Sequence, residues 1–362
     1  MHGSSFHDGA PLQGKPASPC RSVDTPFFKV SFRLSMTRFE TKILHFSAMV
    51  RYSLPLSPPM PLLRLLLISL LALVPVHAFA ASQPVDTVPR VALFSAFEPE
   101  WKALLAIVEQ PVSHRQKGVD FVTGRVEGHD VVLVLSGVSM VNAAMTAQMA
   151  VDRFNLRAIL FSGIAGGVDP SLNIGDVVVS QQWGQYLETI LARETPQGFQ
   201  LPSWSKQEFP NYGMIFARGV KVPRDGVDKP ARQFWIPVDD KLFEIARTAT
   251  SGVELKRCIE AACLVHPPKV VIGGNGVSGS AFVDNAAFRT WAFDTFKAQV
   301  LDMESAAVAH VAVTNAVPFL AFRSLSDLAG GGAGENEMQT FEKLASENSV
   351  AVLRAFLKAL PK

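Results

Sequence analysis

Ala158-Ile-Leu-Phe161 runs directly into Ser162-Gly-Ile-Ala-Gly-Gly-Val168. A short apolar run that ends in glycines predicts a buried strand followed by a glycine-rich loop. Comparable apolar runs recur on both sides of this stretch, and helical patterns stand between them; the runs cover residues 91–96, 176–181, 269–272, 299–302 and 319–324. Alternating strands and helices predict an α/β fold, here a three-layer sandwich with a central mixed β-sheet flanked by helices.

The remaining segments predict a hairpin, a flap and further helices. A hairpin is predicted at residues 119–135, where two β-rich runs flank Glu127-Gly-His-Asp130, and the helix at 141–154, rich in Ala and Met, is expected to be buried. Residues 190–238 interleave prolines with aromatic residues and predict a long ordered flap. We therefore expect residues 81–362 to form a single domain with this flap as an insertion. The other predicted helices cover residues 99–109, 239–250, 285–297, 303–315 and 339–360.

Residues 1–80 are expected to be a leader. The apolar run 61–76 has Arg51 and Arg64 on its N-terminal side and is followed by Ala78-Phe-Ala80. This is the pattern of a secretory signal peptide, covering about residues 49–80 and cut between Ala80 and Ala81. The run is too short to span a bilayer, although an uncleaved anchor is the alternative. The pattern predicts export to the periplasm or the medium, with no membrane attachment after cleavage.

Charge and cysteine content exclude some classes of protein. Residues 81–362 carry 26 basic and 29 acidic side chains, which argues against a nucleic-acid-binding protein. Cys258 and Cys263 are the cysteines of this part; in an exported protein they indicate a disulfide, with two free buried thiols as the alternative. The disulfide would require a helix there to end near Ala261. No metal is expected, because the histidines are scattered.

Acidic residues follow several predicted strands, where open α/β sheets bind their ligands. Glu100 follows the first strand, Asp302 and Glu304 bracket the end of the strand at residues 299–302, and Asp327 follows Arg323-Ser-Leu-Ser326. A single such carboxylate is often only a helix N-terminal residue favoured by the helix dipole. Three such positions, with an arginine nearby, indicate a catalytic site.

Three motifs in order resemble the nucleoside phosphorylase/nucleosidase superfamily: Ser162-Gly-Ile-Ala-Gly-Gly167, Asp302-Met-Glu-Ser-Ala-Ala307 and Phe322-Arg-Ser-Leu-Ser-Asp327. Within it, Phe97-Glu-Pro-Glu100 and the Met-Glu-Ser and Ser-Asp pairs resemble the methylthioadenosine/S-adenosylhomocysteine nucleosidases. The stretches 273–285 and 326–331 are similar to plant-type relatives that include bark storage proteins. The resemblance covers about residues 90–360.

The resemblance implies a cofactor-free purine nucleosidase that hydrolyses the N-ribosidic bond of 5′-methylthioadenosine, S-adenosylhomocysteine or a similar nucleoside and releases adenine. It also implies a homodimer. One alternative is a phosphate-dependent purine nucleoside phosphorylase, which the carboxylate after the first strand disfavours because it would repel phosphate. The other is a non-catalytic nucleoside-binding or storage protein.

The resemblance also implies roles for single residues. Asp327 would donate a proton to purine N7, with Ser326 steadying its carboxyl group, unless Ser326 is only a turn hydroxyl. Glu304 would hold the ribose hydroxyls and Glu100 the attacking water, while Arg323 would hold the carboxylates.

The remaining implied roles concern the substrate pocket. Phe282 would stack on the base and the Val283 backbone would bind its edge, whereas Met303 would pack beneath the sugar; core packing is the alternative for Phe282 and Met303. Asp284 is expected to cap the following helix, with a contact to the purine as the alternative. Further substrate-binding candidates are Phe97 and Val138 for the 5′ substituent, Gly166, and Ile164, where the bacterial nucleosidases carry Ser.

Overall fold

The computed structural model describes residues 84–362, which lie within one compact unit. The predicted leader, residues 1–80, and the predicted cut between Ala80 and Ala81 lie outside the described residues. Among the helices of the described part, none combines the length and apolar character needed to cross a bilayer.

A mixed β-sheet forms the centre of the fold, so the predicted α/β sandwich is confirmed. Its middle strand, β5 (Asn155–Gly167), pairs in parallel with β1 (Pro89–Ser95) and β20 (Phe319–Asp327). It also pairs antiparallel with β19 (Ala298–Asp302). Continuous apolar runs form these strands because both faces of the sheet are covered.

The sheet extends to both sides of β5. Beyond β1 come β4 (His129–Leu135), β3 (Val119–Val126) and β2 (Glu109–Gln116), and the predicted hairpin is the β3–β4 pair. The other strands of the sheet are β6 Val177–Val179, β7 Gln182–Gln185, β14 Trp235–Pro237, β17 Val270–Ile272 and β18 Asn275–Ser278. Of these, β18, β7 and β14 follow beyond β19, while β6 and β17 continue from β20.

Two groups of helices flank the sheet. The helices are α1 Glu98–Leu105, α2 Met140–Arg153, α3 Asp240–Ala249, α4 Ala286–Phe296, α5 Ser305–Thr314 and α6 Met338–Ala359. One group contains α2 and α5, which pack on each other; the other contains α1, α3 and α6, in which α6 contacts both partners. α4 packs beside β19.

The segment 190–238, predicted as a long ordered flap, contains short antiparallel pairs joined by irregular chain. Phe209 and Phe234 of this segment pack on Phe296 of α4, and the Trp291 indole N–H donates to the Pro210 carbonyl at 2.9 Å. Aromatic packing against α4 therefore orders the segment. The bounds are β8 Thr189–Leu191, β9 Arg193–Thr195, β10 Gly198–Gln200, β11 Ile215–Ala217, β12 Val220–Lys221 and β13 Arg232–Gln233.

Three expectations need correction. The first helix ends at Leu105 rather than at residue 109, because the chain from Glu109 onward forms β2 and pairs with β3. The glycine-rich run after Phe161 is not a loop but the second half of β5. Helix α2 is buried on one face only, since Val141 is 78% exposed.

The disulfide between Cys258 and Cys263 is confirmed. The bridge closes a small hairpin of β15 (Cys258–Ile259) and β16 (Ala262–Cys263). The prediction that this bridge requires a helix to end near Ala261 is wrong: Cys258 and Cys263 are directly opposed in an antiparallel pair, which brings them close enough for a bridge.

Candidate active site

The predicted site residues meet where parallel strands end. β1, β5 and β20 are parallel, so their carboxyl ends lie at one edge of the sheet. The segment 96–100, the end of β5 and the end of β20 border a pocket of about 160 Å³ there. Of the twelve predicted site residues, all but Arg323 line this pocket: Phe97, Glu100, Val138, Ile164, Gly166, Phe282, Val283, Met303, Glu304, Ser326 and Asp327.

Arg323 lies behind the pocket and is fully buried. Its Nε lies 2.7 Å from Oδ2 of Asp302, its Nη2 lies 3.4 Å from Oε2 of Glu304, and its Nη1 lies 3.8 Å from Oε1 of Glu100. The guanidinium also packs over the Phe161 ring, with its central carbon 4.0 Å from the ring centroid. One cation thus neutralises part of the charge of three buried carboxyl groups.

Glu100 lies in the first turn of α1, which Pro99 favours through its fixed φ. Its carboxylate accepts hydrogen bonds from the backbone N–H of Ala96 at 2.6 Å and of Ile164 at 2.7 Å. Burial raises the pKa of Glu100, although Arg323 and these N–H groups favour its ionised form. Both carboxylate oxygens are therefore held in a fixed orientation.

Glu304 lies immediately before α5, and its Oε1 accepts from the backbone N–H of Ser139 at 2.8 Å. Ser139 adopts φ 83°, a conformation that costs a non-glycine residue about 1–3 kcal/mol. The turn after β4 is thus held in a strained form that directs an N–H at this carboxylate. Burial raises the pKa of Glu304 to about 7, with Arg323 opposing the shift and Asp302 adding to it.

Asp327 ends β20 and is 3% exposed. The Ser326 hydroxyl donates to its Oδ2 at 2.9 Å, as the resemblance implied, and the Ala329 N–H donates to its Oδ1 at 2.8 Å. Burial raises the pKa of Asp327, whereas these hydrogen bonds oppose the shift. The carboxyl group is therefore both oriented and biased toward its protonated form.

The pocket walls differ in exposure. Val283 is buried, whereas Phe282 is 55% exposed at the pocket mouth. Asp284 does not cap α4, because the Asn285 side chain accepts from the Phe288 N–H at 2.9 Å and occupies the cap position.

Sequence reasoning gave Asp302 no role and missed two other residues near the pocket. Asp302, one of the acidic residues singled out at the strand ends, lines the pocket and binds Arg323. Met338 lines the pocket from the start of α6, and Asn336 donates to Asp327 at 3.4 Å. Nothing in the local sequence marks Met338 or Asn336, because they approach the pocket only through the path of the chain after β20.

The electrostatic character of the pocket is acidic. Glu100, Asp302, Glu304 and Asp327 line it, and none of its lining residues is Lys or Arg. Within residues 84–362, no group of three or more His, Cys, Asp or Glu residues is arranged to hold a metal ion. The arrangement can bind hydroxyl groups, donate a proton and orient a water molecule.

A carboxylate-lined pocket at the strand ends of an α/β sheet is typical of α/β proteins that bind small polar ligands. The chain belongs to the Phosphorylase superfamily, whose family model matches residues 90–358.

Named relatives within this family include enzymes and storage proteins. The chain is 27% identical over 241 residues to the 5′-methylthioadenosine/S-adenosylhomocysteine nucleosidase of Mycobacterium bovis, covering 67% of this chain and 85% of that protein. It is 26% identical over 253 residues to bark storage protein A of Populus deltoides, covering 67% and 78%. It also matches a crystal structure of the nucleosidase of Colwellia psychrerythraea in complex with adenine, at 25% identity and a TM-score of 0.58, covering 75% of this chain and 96% of that one.

Proposed function

We propose that this protein is a purine nucleosidase that hydrolyses the N-ribosidic bond of 5′-methylthioadenosine, S-adenosylhomocysteine or a similar nucleoside and releases adenine. The observation that carries the proposal is the lining of the pocket. Four of the described residues that line it carry carboxyl groups, and none of them carries a cationic side chain. The named nucleosidase relatives support the same reaction.

The leaving purine must be protonated for the bond to break easily, and Asp327 is the acid. Its raised pKa keeps a proton on the carboxyl group closer to neutral pH than an exposed aspartate would. The Ser326 hydroxyl orients this group toward the base, which lies between Phe282 and the Val283 backbone.

The ribose develops positive charge as the bond breaks, and carboxylates near it stabilise that charge. Glu304 accepts hydrogen bonds from the ribose hydroxyls, with Met303 beneath the sugar. Glu100 orients the attacking water, because its carboxylate is fixed by two backbone N–H groups and points into the pocket. Arg323 holds the carboxyl groups of Glu100, Asp302 and Glu304 in fixed positions.

Phosphorolysis is the less favoured reaction because phosphate is a dianion. A phosphate site requires N–H donors or cations, and Arg323 is fully buried behind carboxylates that already bind it. Four carboxyl groups on the pocket wall would repel the phosphate.

A storage role is the non-catalytic alternative, since two relatives, bark storage proteins A and B of Populus deltoides, are named for storage. Burying three carboxyl groups around one arginine costs desolvation free energy that storage alone would not require. The cluster therefore favours catalysis.

The test is adenine release by the purified protein from methylthioadenosine, S-adenosylhomocysteine, adenosine and inosine, without and with phosphate. We expect adenine and a free sugar without phosphate, and a loss of about 10²–10⁴-fold in Asp327→Asn, the usual contribution of a general acid. Turnover that requires phosphate would indicate a phosphorylase, and no turnover would indicate binding or storage.

We further propose that the protein is exported to the periplasm or the medium after cleavage before Ala81, and that it acts as a homodimer. The signal-peptide pattern of residues 49–80 supports export, and the Cys258–Cys263 disulfide suits an oxidising compartment. N-terminal sequencing of the protein from cell fractions tests this: a mature chain that begins at Ala81 supports export, and an intact chain in the cytosol contradicts it.

A further inference from the structure

Asn336 makes three side-chain contacts around the pocket. Its amide nitrogen donates to Oδ1 of Asp327 at 3.4 Å and to Oδ1 of Asp284 at 3.2 Å. Its carbonyl oxygen accepts from the backbone N–H of Met338 at 3.0 Å. One side chain thus joins the proposed acid, the segment after Val283, and a residue of the pocket wall at the start of α6.

The hydrogen bonds of Asp327 distinguish its two oxygens. Oδ1 accepts hydrogen bonds from the Ala329 N–H and the Asn336 amide, and an N–H group cannot accept a hydrogen bond from a protonated Oδ1. Oδ2 faces the Ser326 hydroxyl, which can donate or accept and whose oxygen also lies 3.5 Å from the Ala165 carbonyl oxygen. A proton on Oδ1 would therefore oppose two N–H groups, whereas a proton on Oδ2 would not.

We propose that Asn336 is a positioning residue that, with the Ala329 N–H, confines the acidic proton of Asp327 to Oδ2 and ties this acid to the segment that binds the base. The assignment rests on the proposed function, in which Asp327 protonates the purine. In that step Oδ2–H transfers its proton to N7, the N-ribosidic bond breaks and its electron pair leaves with adenine. The water at Glu100 bonds to the ribose carbon and releases a proton to that carboxylate, while the carboxylate of Asp327 is stabilised on Oδ1 by both N–H donors.

Backbone and side-chain contacts also join the segment that contains Asp327 to the segment around Asp284. The Asn285 N–H donates to the Ala329 carbonyl at 3.1 Å, and the Arg289 Nε–H donates to the Gly167 carbonyl at 2.9 Å. The first bond fixes segment 327–331 against the start of α4, and the second fixes α4 against the end of β5. Asn336 adds a side-chain contact that reaches Asp327 and Asp284 together.

The test is the pH dependence of kcat for adenine release by Asn336→Leu and Asn336→Asp. Leucine keeps the approximate shape but removes the donor, and we expect kcat to fall about tenfold, as for a lost hydrogen bond to a charged group. The alkaline limb of kcat, which reports ionisation of Asp327, should shift to higher pH in both variants, because the carboxylate loses a donor. The shift should be larger in Asn336→Asp, which adds a negative charge. Glu335→Gln, an exposed neighbour, is the matched control and should keep the kcat and the limb of the unmodified protein.

A fall in kcat without a shift of the alkaline limb would mean a merely structural role and would overturn the assignment, as would an unchanged profile. If the unmodified protein releases no adenine, the proposed function fails, and the assignment fails with it. If Asn336→Asp does not fold, the limb of Asn336→Leu alone decides, because its carboxylate loses the same donor.

Discussion

Arg323 and its carboxyl partners form a cluster with more negative than positive groups. Glu100, Asp302 and Glu304 lie within 4 Å of one guanidinium, so full ionisation would leave an excess of negative charge in a buried site. Burial raises the pKa of both Glu100 and Glu304, and the neighbouring Asp302 adds to the shift of Glu304. Protonation of these groups would relieve the excess. The same arrangement that makes the site reactive therefore lowers the stability of the empty protein near neutral pH.

Glu304 provides a test of this charge imbalance. Its pKa rises from the usual 4.5 to about 7, so between these values the folded protein retains a proton that the unfolded chain has released. The free energy of unfolding should then fall as pH rises from about 4.5 to 7, by an amount on the order of 1–3 kcal/mol. In Glu304→Gln this decrease should be smaller, measured by urea unfolding at pH 5 and pH 8.

The exposed Glu335 offers the control, since Glu335→Gln should keep the pH dependence of the unmodified protein. Identical pH dependence in the unmodified protein and in Glu304→Gln would contradict a raised pKa of Glu304 in the folded protein.

Gly163 packs so closely against the cluster that a side chain at this position would collide with it. A methyl group at this position would contact the Glu100 carboxylate and the Arg323 Nη1. Gly163→Ala should therefore displace Glu100 and lower kcat/KM about 10²-fold, the cost of a displacement near 1 Å in an active site.

Gly334→Ala is the matched control, because a methyl group there would meet open space, and its activity should be unchanged. Steady-state kinetics, with circular dichroism to confirm folding, measure both variants. Full activity in Gly163→Ala would show that Glu100 does not need its present position.

At the level of elements, periodicity predicts the buried strands well and the edge strands poorly. Residues 91–96 and 319–324 are apolar almost throughout and form strands as predicted, whereas β2 is largely exposed and lacks such a pattern. Glycines dominate the second half of β5 and predict a loop, and only its pairing with β20 makes it a strand. The site residues at strand ends can be predicted from the sequence. Asn336 and Met338 cannot, because only the tertiary fold brings them to the pocket.

The disulfide hairpin is the element whose contribution to stability is easiest to isolate. Cys258 and Cys263 are five residues apart, and closing so short a loop stabilises the folded state by about 2 kcal/mol in the chain-entropy model. Reduction should lower the free energy of unfolding by about this amount. Adenine release well below the melting temperature should continue, because neither cysteine lines the pocket.

The measurement is urea unfolding with and without reductant, and the Cys258→Ser/Cys263→Ser double variant should show no further response to reductant. Equal stability of the oxidised and reduced protein would contradict this role for the bridge.

For the whole molecule, the exposed apolar face of α2 is the observation that supports a homodimer. Val141 is 78% exposed and Met145 is 51% exposed on this helix, one turn apart, and the nearby pocket residue Val138 is 44% exposed. A second copy that covers this face would also close the pocket beside Val138. Val141→Glu should therefore produce a monomer with a raised KM, because a buried unpaired carboxylate is strongly unfavourable at an interface.

Light scattering after size exclusion, together with KM for the best substrate, measures both effects. Val265 is 81% exposed just after the disulfide hairpin, so Val265→Glu introduces the same charge at an equally exposed apolar position and should leave the dimer and its KM intact. If the unmodified protein is a monomer at micromolar concentration, or if Val141→Glu remains a dimer, this face of α2 is not the interface. A monomeric Val141→Glu with an unchanged KM would separate the two effects: the copies would pair through α2, but the pocket would be complete within one chain.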